Sequence, residues 1–170
     1  KQRDEKLYLL SPLLDDKKRA YFQQAYENLI LNVILPNAHS SLPDKSKRNE
    51  IFYQAFPCVR CVRPGEFSIG CHADCNYGFQ AGNVNYYLPL MEISGSNSLA
   101  IETEPALEDW HFLELQYGEI HRFWGSTCSH FTVENTSPST RISFDFRVIP
   151  AITFHKHKID RFSSEPGYYV

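Results

Sequence analysis

No apolar run in this chain approaches the roughly 20 residues of a membrane-spanning helix. Charge leans to neither sign: 17 Lys and Arg stand against 20 Asp and Glu, for a net charge of −3 over 170 residues. Without a basic stripe or a polybasic cluster there is no electrostatic footprint for nucleic acid or for an acidic membrane surface. Lys1 is not followed by a charged-then-apolar leader, so no secretory signal is visible. Repeats, low-complexity linkers and a second domain are also missing, and 1–170 reads as one domain able to bury its own core. Cysteine is sparse and odd in number, at five. That argues against a disulfide framework and for a reducing, cytoplasmic location. The pairs Cys58/Cys61 and Cys71/Cys75 have the look of zinc half-sites. The first pair, however, lies in a strand-like run without glycine, where residues three apart point to opposite faces. Inert thiols are the favoured reading.

What the chain does contain is aromatic and strand-forming. Twelve Phe, ten Tyr and two Trp suit a β-rich core, because rings pack well on pleated surfaces. Asp15-Asp16 opens a helix over about Lys17 to Leu35, stopped by Pro36. Its stripe of Phe22, Tyr26, Leu29, Ile30, Val33 and Ile34 marks 15–36 as a covering helix packed on the outside of a sheet. Asn37 to Glu50 reads as a polar loop. Strand-like runs follow at Ile51–Val62, Glu66–Cys71, Gly82–Leu90, Ser98–Glu102, Phe112–Leu115, Ile120–Trp124, His130–Glu134 and Thr140–Ile149. This many short strands between turns predicts a sandwich, barrel or double-sheet jelly roll over 51–150. The remaining 151–170 form a tail that either folds over a pocket or is solvated.

The chemistry is announced by His72-Ala73-Asp74, then His130, then Arg141-Ile142-Ser143. Two imidazoles and one carboxylate make the facial triad of non-haem iron(II) oxygenases, which leaves three octahedral positions open for a chelating cosubstrate and O2. Asn135-Thr136-Ser137-Pro138 predicts a hairpin turn that sets Thr132 opposite Arg141 and His130 opposite Ser143. One face then carries His130, Thr132, Arg141, Ser143, Asp145 and Arg147, a polar barrel interior. Phe131, Val133, Ile142, Phe144, Phe146 and Val148 occupy the other face. In this register Arg141 lies diagonally about 7–8 Å from His130. There a five-carbon diacid held on the metal would present its far carboxylate to a bidentate guanidinium fork.

His72-x-Asp74, His130 and Arg141-x-Ser143 together resemble the iron(II)/2-oxoglutarate-dependent dioxygenases, over about Ile51 to Pro150. The stretch Gly82-Asn83-Val84-Asn85-Tyr86-Tyr87-Leu88-Pro89-Leu90 and the run Ser143-Phe144-Asp145-Phe146-Arg147 are similar to a small subgroup associated with streptomycin biosynthesis. The resemblance implies a mainly β double-stranded β-helix (jelly roll). It implies Fe(II) on His72, Asp74 and His130, and 2-oxoglutarate and O2 as cosubstrates. Arg141 and Ser143 would hold the distal carboxylate of 2-oxoglutarate. It further implies oxidation of a C–H bond, with hydroxylation favoured over halogenation because Asp74 fills the position a halide would need. Asn85 and Tyr87, on one face by period 2, are candidate donors to the chelate, and Gln80 and Trp124 candidates for the substrate mouth. His111, His121, His155 and His157 read as surface or satisfied core histidines. A small polar metabolite is the expected substrate, and oligomeric state is not legible. Two rival classes stand beside this one: a cupin-like metalloenzyme that does not use 2-oxoglutarate, and a non-catalytic jelly-roll binding module.

Overall fold

The computed structural model describes residues 15–40, 50–154 and 168–170. Contacts divide the chain into two units, Lys1–Glu50 and Ile51–Val170. In the first, Asp15 caps helix α1 (Asp16–Leu29) by accepting from the Lys17 and Lys18 amides, both at 3.1 Å. Tyr26, Ile30 and Ile34, four residues apart, are buried, while Val33, expected on the same stripe, is exposed. The expected stop at Pro36 does not occur. A wide π turn (Ile30–Ile34) closes with the Leu35 amide donating to the Ile30 carbonyl, and helix α2 (Leu35–Ser40) continues through Pro36. The ring sits in the first turn of this new segment, where a missing N–H does least harm. The widened turn relieves the clash a proline makes with the preceding turn. No helix among the described residues is long and apolar enough to cross a membrane. His155 and His157, and most of the tail, lie outside the described residues.

The second unit is built of antiparallel strands in two sheets. One contains β1 (Ile51–Tyr53), β2 (Cys58–Val62), β3 (Val84–Pro89), β6 (His121–Phe123) and the ten-residue β8 (Arg141–Pro150). Its order is β1-β8-β3-β6, with β2 also on β8. The other has the order β5-β4-β7, from β4 (Ala100–Ile101), β5 (His111–Phe112) and β7 (His130–Phe131). This is the expected jelly roll. The run Ile51–Val62 is two strands on one edge of β8, β1 against Val148–Pro150 and β2 against Arg141–Asp145. They are interrupted before Pro57, which has no N–H for a ladder.

Two sequence expectations are corrected. Glu66–Cys71 forms no regular strand, because the Thr132 hydroxyl accepts the Ser68 and Ile69 amides at 2.8 and 3.0 Å in place of a backbone partner. The His130–Ile149 hairpin does not pair with itself either. β7 pairs with β4, placing Ile101 opposite His130, whereas β8 pairs with β1, β2 and β3. The Asn135 turn does form, with its side chain accepting the Ser137 amide at 3.1 Å and donating to the Ser139 carbonyl at 2.8 Å. It carries the chain from one sheet to the other instead of folding it back. The two-faced alternation survives this change of partner. Arg141, Ser143 and Arg147 are buried and, with His130 and Thr132, turn toward the interior.

Between the sheets, one end is apolar, with Tyr87, Ile93, Leu99, Ile101 and Leu113 packed together. On the other face of the large sheet Phe146 is 1% exposed and stacks on its ladder partner Tyr86, with ring centroids 5.6 Å apart. Phe146→Ala should therefore cost about 3–5 kcal/mol, the range for a buried ring lost from a core. Chemical denaturation checks this, and metal affinity of the folded fraction should stay at the wild-type value because the ring faces away from the polar interior.

Candidate metal centre

His72 and His130 are opposite each other across a bridge in which each accepts the other's amide. His72 N donates to His130 O at 3.2 Å and His130 N to His72 O at 2.9 Å. Opposed residues share a face, so both imidazoles turn inward, with ring centroids 4.3 Å apart. Asp74, two residues on, starts a short 3-10 turn (Asp74–Tyr77). Gly78, at φ 93°, ends that turn in the left-handed conformation glycine adopts freely. The Asp74 amide donates to the Gly125 carbonyl at 2.8 Å, which draws the turn against the loop before β7. His72 Nε2 and His130 Nε2 then lie 3.5 and 3.8 Å from Asp74 Oδ1.

The donor set fits a first-row divalent ion. All three side chains are buried and their ligand atoms lie within 4.8 Å of one another. Ligands about 2.1 Å from one ion sit roughly 3.0–3.5 Å apart, so little movement closes the set. Each imidazole is fixed in the tautomer a metal needs. His72 Nδ1 donates to the Gly70 carbonyl at 2.8 Å and His130 Nδ1 to the Cys128 carbonyl at 3.1 Å, which leaves both Nε2 lone pairs free. Tyr77 meets the His72 ring and Phe123 the His130 ring, edge to face at 5.0 and 5.2 Å. Burial pushes the His130 pKa down, keeping it neutral and ready to ligate. Among the described residues this is the one such grouping of His, Cys, Asp and Glu. None of the five cysteines is in a disulfide.

Asp74 is 1% exposed, and its burial is offset by two donors on the other oxygen. Asn85 Nδ2 and Arg147 Nε reach Oδ2 at 2.8 and 2.7 Å. Asn85 and Arg147 are themselves a ladder pair between β3 and β8, so strand register builds the clamp. Arg147 is held in turn by Gln54 Oε1 at 3.3 Å and by the Phe79 ring, 4.1 Å from its guanidinium carbon. Burial raises the Asp74 pKa, but the hydrogen bonds from Arg147 and Asn85, with the Arg147 charge, overcome it and hold the carboxyl well below its usual range. A Cβ on Gly125 would come within 2.5 Å of Asn85 Nδ2, so glycine here is what lets the amide reach Asp74. The support given by Arg147, Gln54, Phe79 and Gly125 was not anticipated from the sequence. For Arg147 the signal was present: it shares the inward face of β8 with Arg141, and a buried carboxylate requires a countercharge.

The far end of the same cavity holds the other expected residues. Arg141, 2% exposed, donates Nη1 to the Ser98 carbonyl at 2.8 Å. Among the described residues it has no ion-pair partner, and its Nε has no hydrogen-bond partner. The buried Ser143 hydroxyl and Tyr87 hydroxyl lie side by side, yet neither makes a hydrogen bond of good geometry. Burial, with Arg60 nearby, pulls the Arg141 pKa down. Arg60 is committed to Asp145, with Nε on Oδ1 at 2.8 Å. His72, Asn85, Tyr87, His130, Arg141 and Arg147 thus line one cavity. Asn85 sits under the Asp74 carboxylate, and its Oδ1 has no hydrogen-bond partner among the described residues. Gln80 is buried and lines neither this cavity nor a larger neighbouring one, whereas Trp124 lines that larger one together with His111 and His121.

No family model matches the chain. It is 29% identical over 142 residues to the streptomycin biosynthesis protein StrG of Streptomyces griseus, covering 82% of this chain and 67% of that protein. Among solved structures it is similar to a non-heme monooxygenase, the ThoJ–Ni complex. The TM-score is 0.52 and the identity 17%, over 69% of this chain and 49% of that one, so the chain spans about half of that structure. It is also similar, with a TM-score of 0.35 and 15% identity, to a Cupin_2 domain of an XRE family transcriptional regulator from Enterobacter cloacae, over 63% of this chain and 88% of that one.

Asn85→Ala should weaken Ni(II) or Co(II) binding about 10- to 100-fold, the usual effect of losing a partner behind a metal ligand. Isothermal titration measures it. The depressed Asp74 pKa gives the metal-free protein stability that is present above the unfolded carboxylate value of about 3.9 and lost as pH falls below it. The stability gap between wild type and Asp74→Asn should therefore narrow below about pH 4, as read from denaturation curves across pH.

Proposed function

We propose that the protein is an Fe(II)- and 2-oxoglutarate-dependent dioxygenase that oxidises a C–H bond of a small polar metabolite. The observation that carries this reading is Arg141, a buried guanidinium without a carboxylate partner among the described residues, beside the unsatisfied Ser143 and Tyr87 hydroxyls. A buried cation and two idle hydroxyls at the far end of a metal cavity are complementary to an anion, and a diacid chelating the metal supplies one there. When bound, Fe(II) with 2-oxoglutarate and O2 supplies the oxidation, in which 2-oxoglutarate becomes succinate and CO2 as oxygen is added to the substrate.

The chain's own residues do the rest. His72, His130 and Asp74 Oδ1 would hold the ion. Arg147 and Asn85 occupy Oδ2 and keep Asp74 ionised and turned toward the imidazoles. Arg141, Ser143 and Tyr87 orient the distal carboxylate, while Leu99 and Phe123 keep water from the interior. Because Asp74 would supply a carboxylate ligand where a halide would otherwise bind, hydroxylation is favoured over halogenation. The relative named for streptomycin biosynthesis supports a natural-product metabolite as the substrate.

A second reading, a cupin-like metalloenzyme that does not use 2-oxoglutarate, is favoured by one observation. The cavity measures about 30 Å³, room for an ion and a water, so a five-carbon diacid enters only as side chains shift. Anaerobic titration separates the two. The dioxygenase gives a visible charge-transfer band when 2-oxoglutarate joins the Fe(II) protein, whereas metal binding without that band favours the second reading. Arg141→Lys should weaken 2-oxoglutarate binding by roughly 10- to 150-fold, on the order of 1.5–3 kcal/mol for a lost charge-assisted pair, with metal affinity unchanged. Unaltered 2-oxoglutarate affinity would assign the distal carboxylate to another residue.

A further inference from the structure

Beside the metal cavity lies a cleft of about 560 Å³, walled by the end of β4 and the chain after it, by β5 and by β6. Its size is that of a small-molecule site. Three of its residues adjoin the metal ligand His130. Phe123 lines both cavities and meets the His130 ring at 5.2 Å. Ile101 is the ladder partner of His130. Cys128 gives its carbonyl to His130 Nδ1 at 3.1 Å. A molecule in the cleft is therefore one side chain away from the ion's imidazole.

One wall is held under tension. Glu102, 2% exposed, spends its carboxylate on the backbone amides of Ala106, Glu108 and Ser129. Ala106 and Glu108 are non-glycine residues at φ 63° and 55°, conformations that persist only where the surroundings over-determine them and that gather at ligand sites. The lining that remains available has a definite chemistry. Trp124, 59% exposed, offers an indole face, the best of the aromatic surfaces for a cation. Glu104 adds a carboxylate at the same cleft. His111 and His121 contribute imidazoles, and burial together with His111 disfavours protonation of His121, so it accepts hydrogen bonds from hydroxyls. Arg122 is the one guanidinium against the two carboxylates, and its ladder partner is Tyr86, on the face of the sheet away from the metal.

We propose that this cleft binds the molecule to be oxidised, and that this molecule is a hydroxylated ring of about sugar size carrying a basic amine. The word substrate rests on the dioxygenase reading of the adjoining centre; the binding site and its chemical preference do not. The indole stacks on the ring's C–H face and Glu104 pairs with the amine. The imidazoles meet the hydroxyls, and Phe123 sets the ring's edge toward the metal.

The test uses the full chain loaded with Mn(II), with the Zn(II) form as the diamagnetic reference. Glucosamine is the probe, and glucose and glucuronate are its neutral and anionic counterparts. Proton relaxation of glucosamine should be faster with the Mn(II) protein than with the Zn(II) protein, and glucuronate should show no such effect. Trp124→Ala and Glu104→Gln, both at exposed side chains, should each weaken glucosamine binding at least about fivefold with Mn(II) affinity unchanged. Enhancement that survives both substitutions, an equal response to glucuronate, or no enhancement at all overturns the assignment. The outcome is independent of the cosubstrate. Cleft binding in a protein that shows no 2-oxoglutarate band defeats only the dioxygenase reading, and a band without cleft binding defeats only this proposal.

Discussion

A carboxylate almost wholly removed from water inside a β-barrel is tolerable only if its charge is met at once. Asp74 satisfies that condition through Arg147 and Asn85, and much of the molecule follows from the arrangement. The two donors come from adjacent strands in register, so the large sheet must hold β3 against β8 for the carboxylate to be neutralised. Gly125 must lack a side chain for Asn85 to reach. Phe79 and Gln54 must hold the guanidinium from behind. With Oδ2 doubly occupied, Oδ1 is the oxygen left facing the two imidazoles, and the three donor groups are placed together by the protein alone.

The interior is graded along its length. Aliphatic and aromatic side chains around Ile93 and Leu113 fill one region, and the ionic cluster and the histidines fill another. Between them stand Arg141, Ser143 and Tyr87 with hydrogen-bonding capacity unspent. Each unsatisfied buried polar group costs on the order of 1–3 kcal/mol, so the fold sustains a local deficit that a bound anion would remove. Such a deficit is expected where a protein is shaped for a ligand and not for maximal stability.

The grouping of His72, Asp74 and His130 and the inward face of β8 were legible in the sequence. Residue type and spacing marked the first, and strict alternation along Thr140–Ile149 marked the second. The partner of that face was not legible. A good turn at Asn135 is a local signal, and it forms as expected; whether the strands on either side then pair depends on edges offered by β1, β2, β3 and β4. Tertiary pairing overrode the local expectation while the alternation, which depends only on period 2, survived. Pro36 failed as a helix stop for a similar reason, since a π turn absorbed what the proline forbids. The close approach at Gly125 and the ring beneath Arg147 bring together residues from separate loops and strands, which no linear pattern encodes.

The inward side chains Arg141, Ser143, Asp145 and Arg147 all ride on one uninterrupted strand. Six residues of extended chain set the separation of the Arg141 and Arg147 backbones at roughly 20 Å, and pairing with β1, β2 and β3 holds the strand extended. The cavity therefore works as a caliper. One jaw, through Arg147 and Asp74, is set at the His72–Asp74–His130 cluster, and the other is Arg141, a buried charge without an ion-pair partner among the described residues. A ligand held at both jaws would be selected by the distance between its two ends as much as by their chemistry, and changing the preferred length would require shifting a jaw by two residues along the strand, the smallest step that keeps a side chain on the inner face.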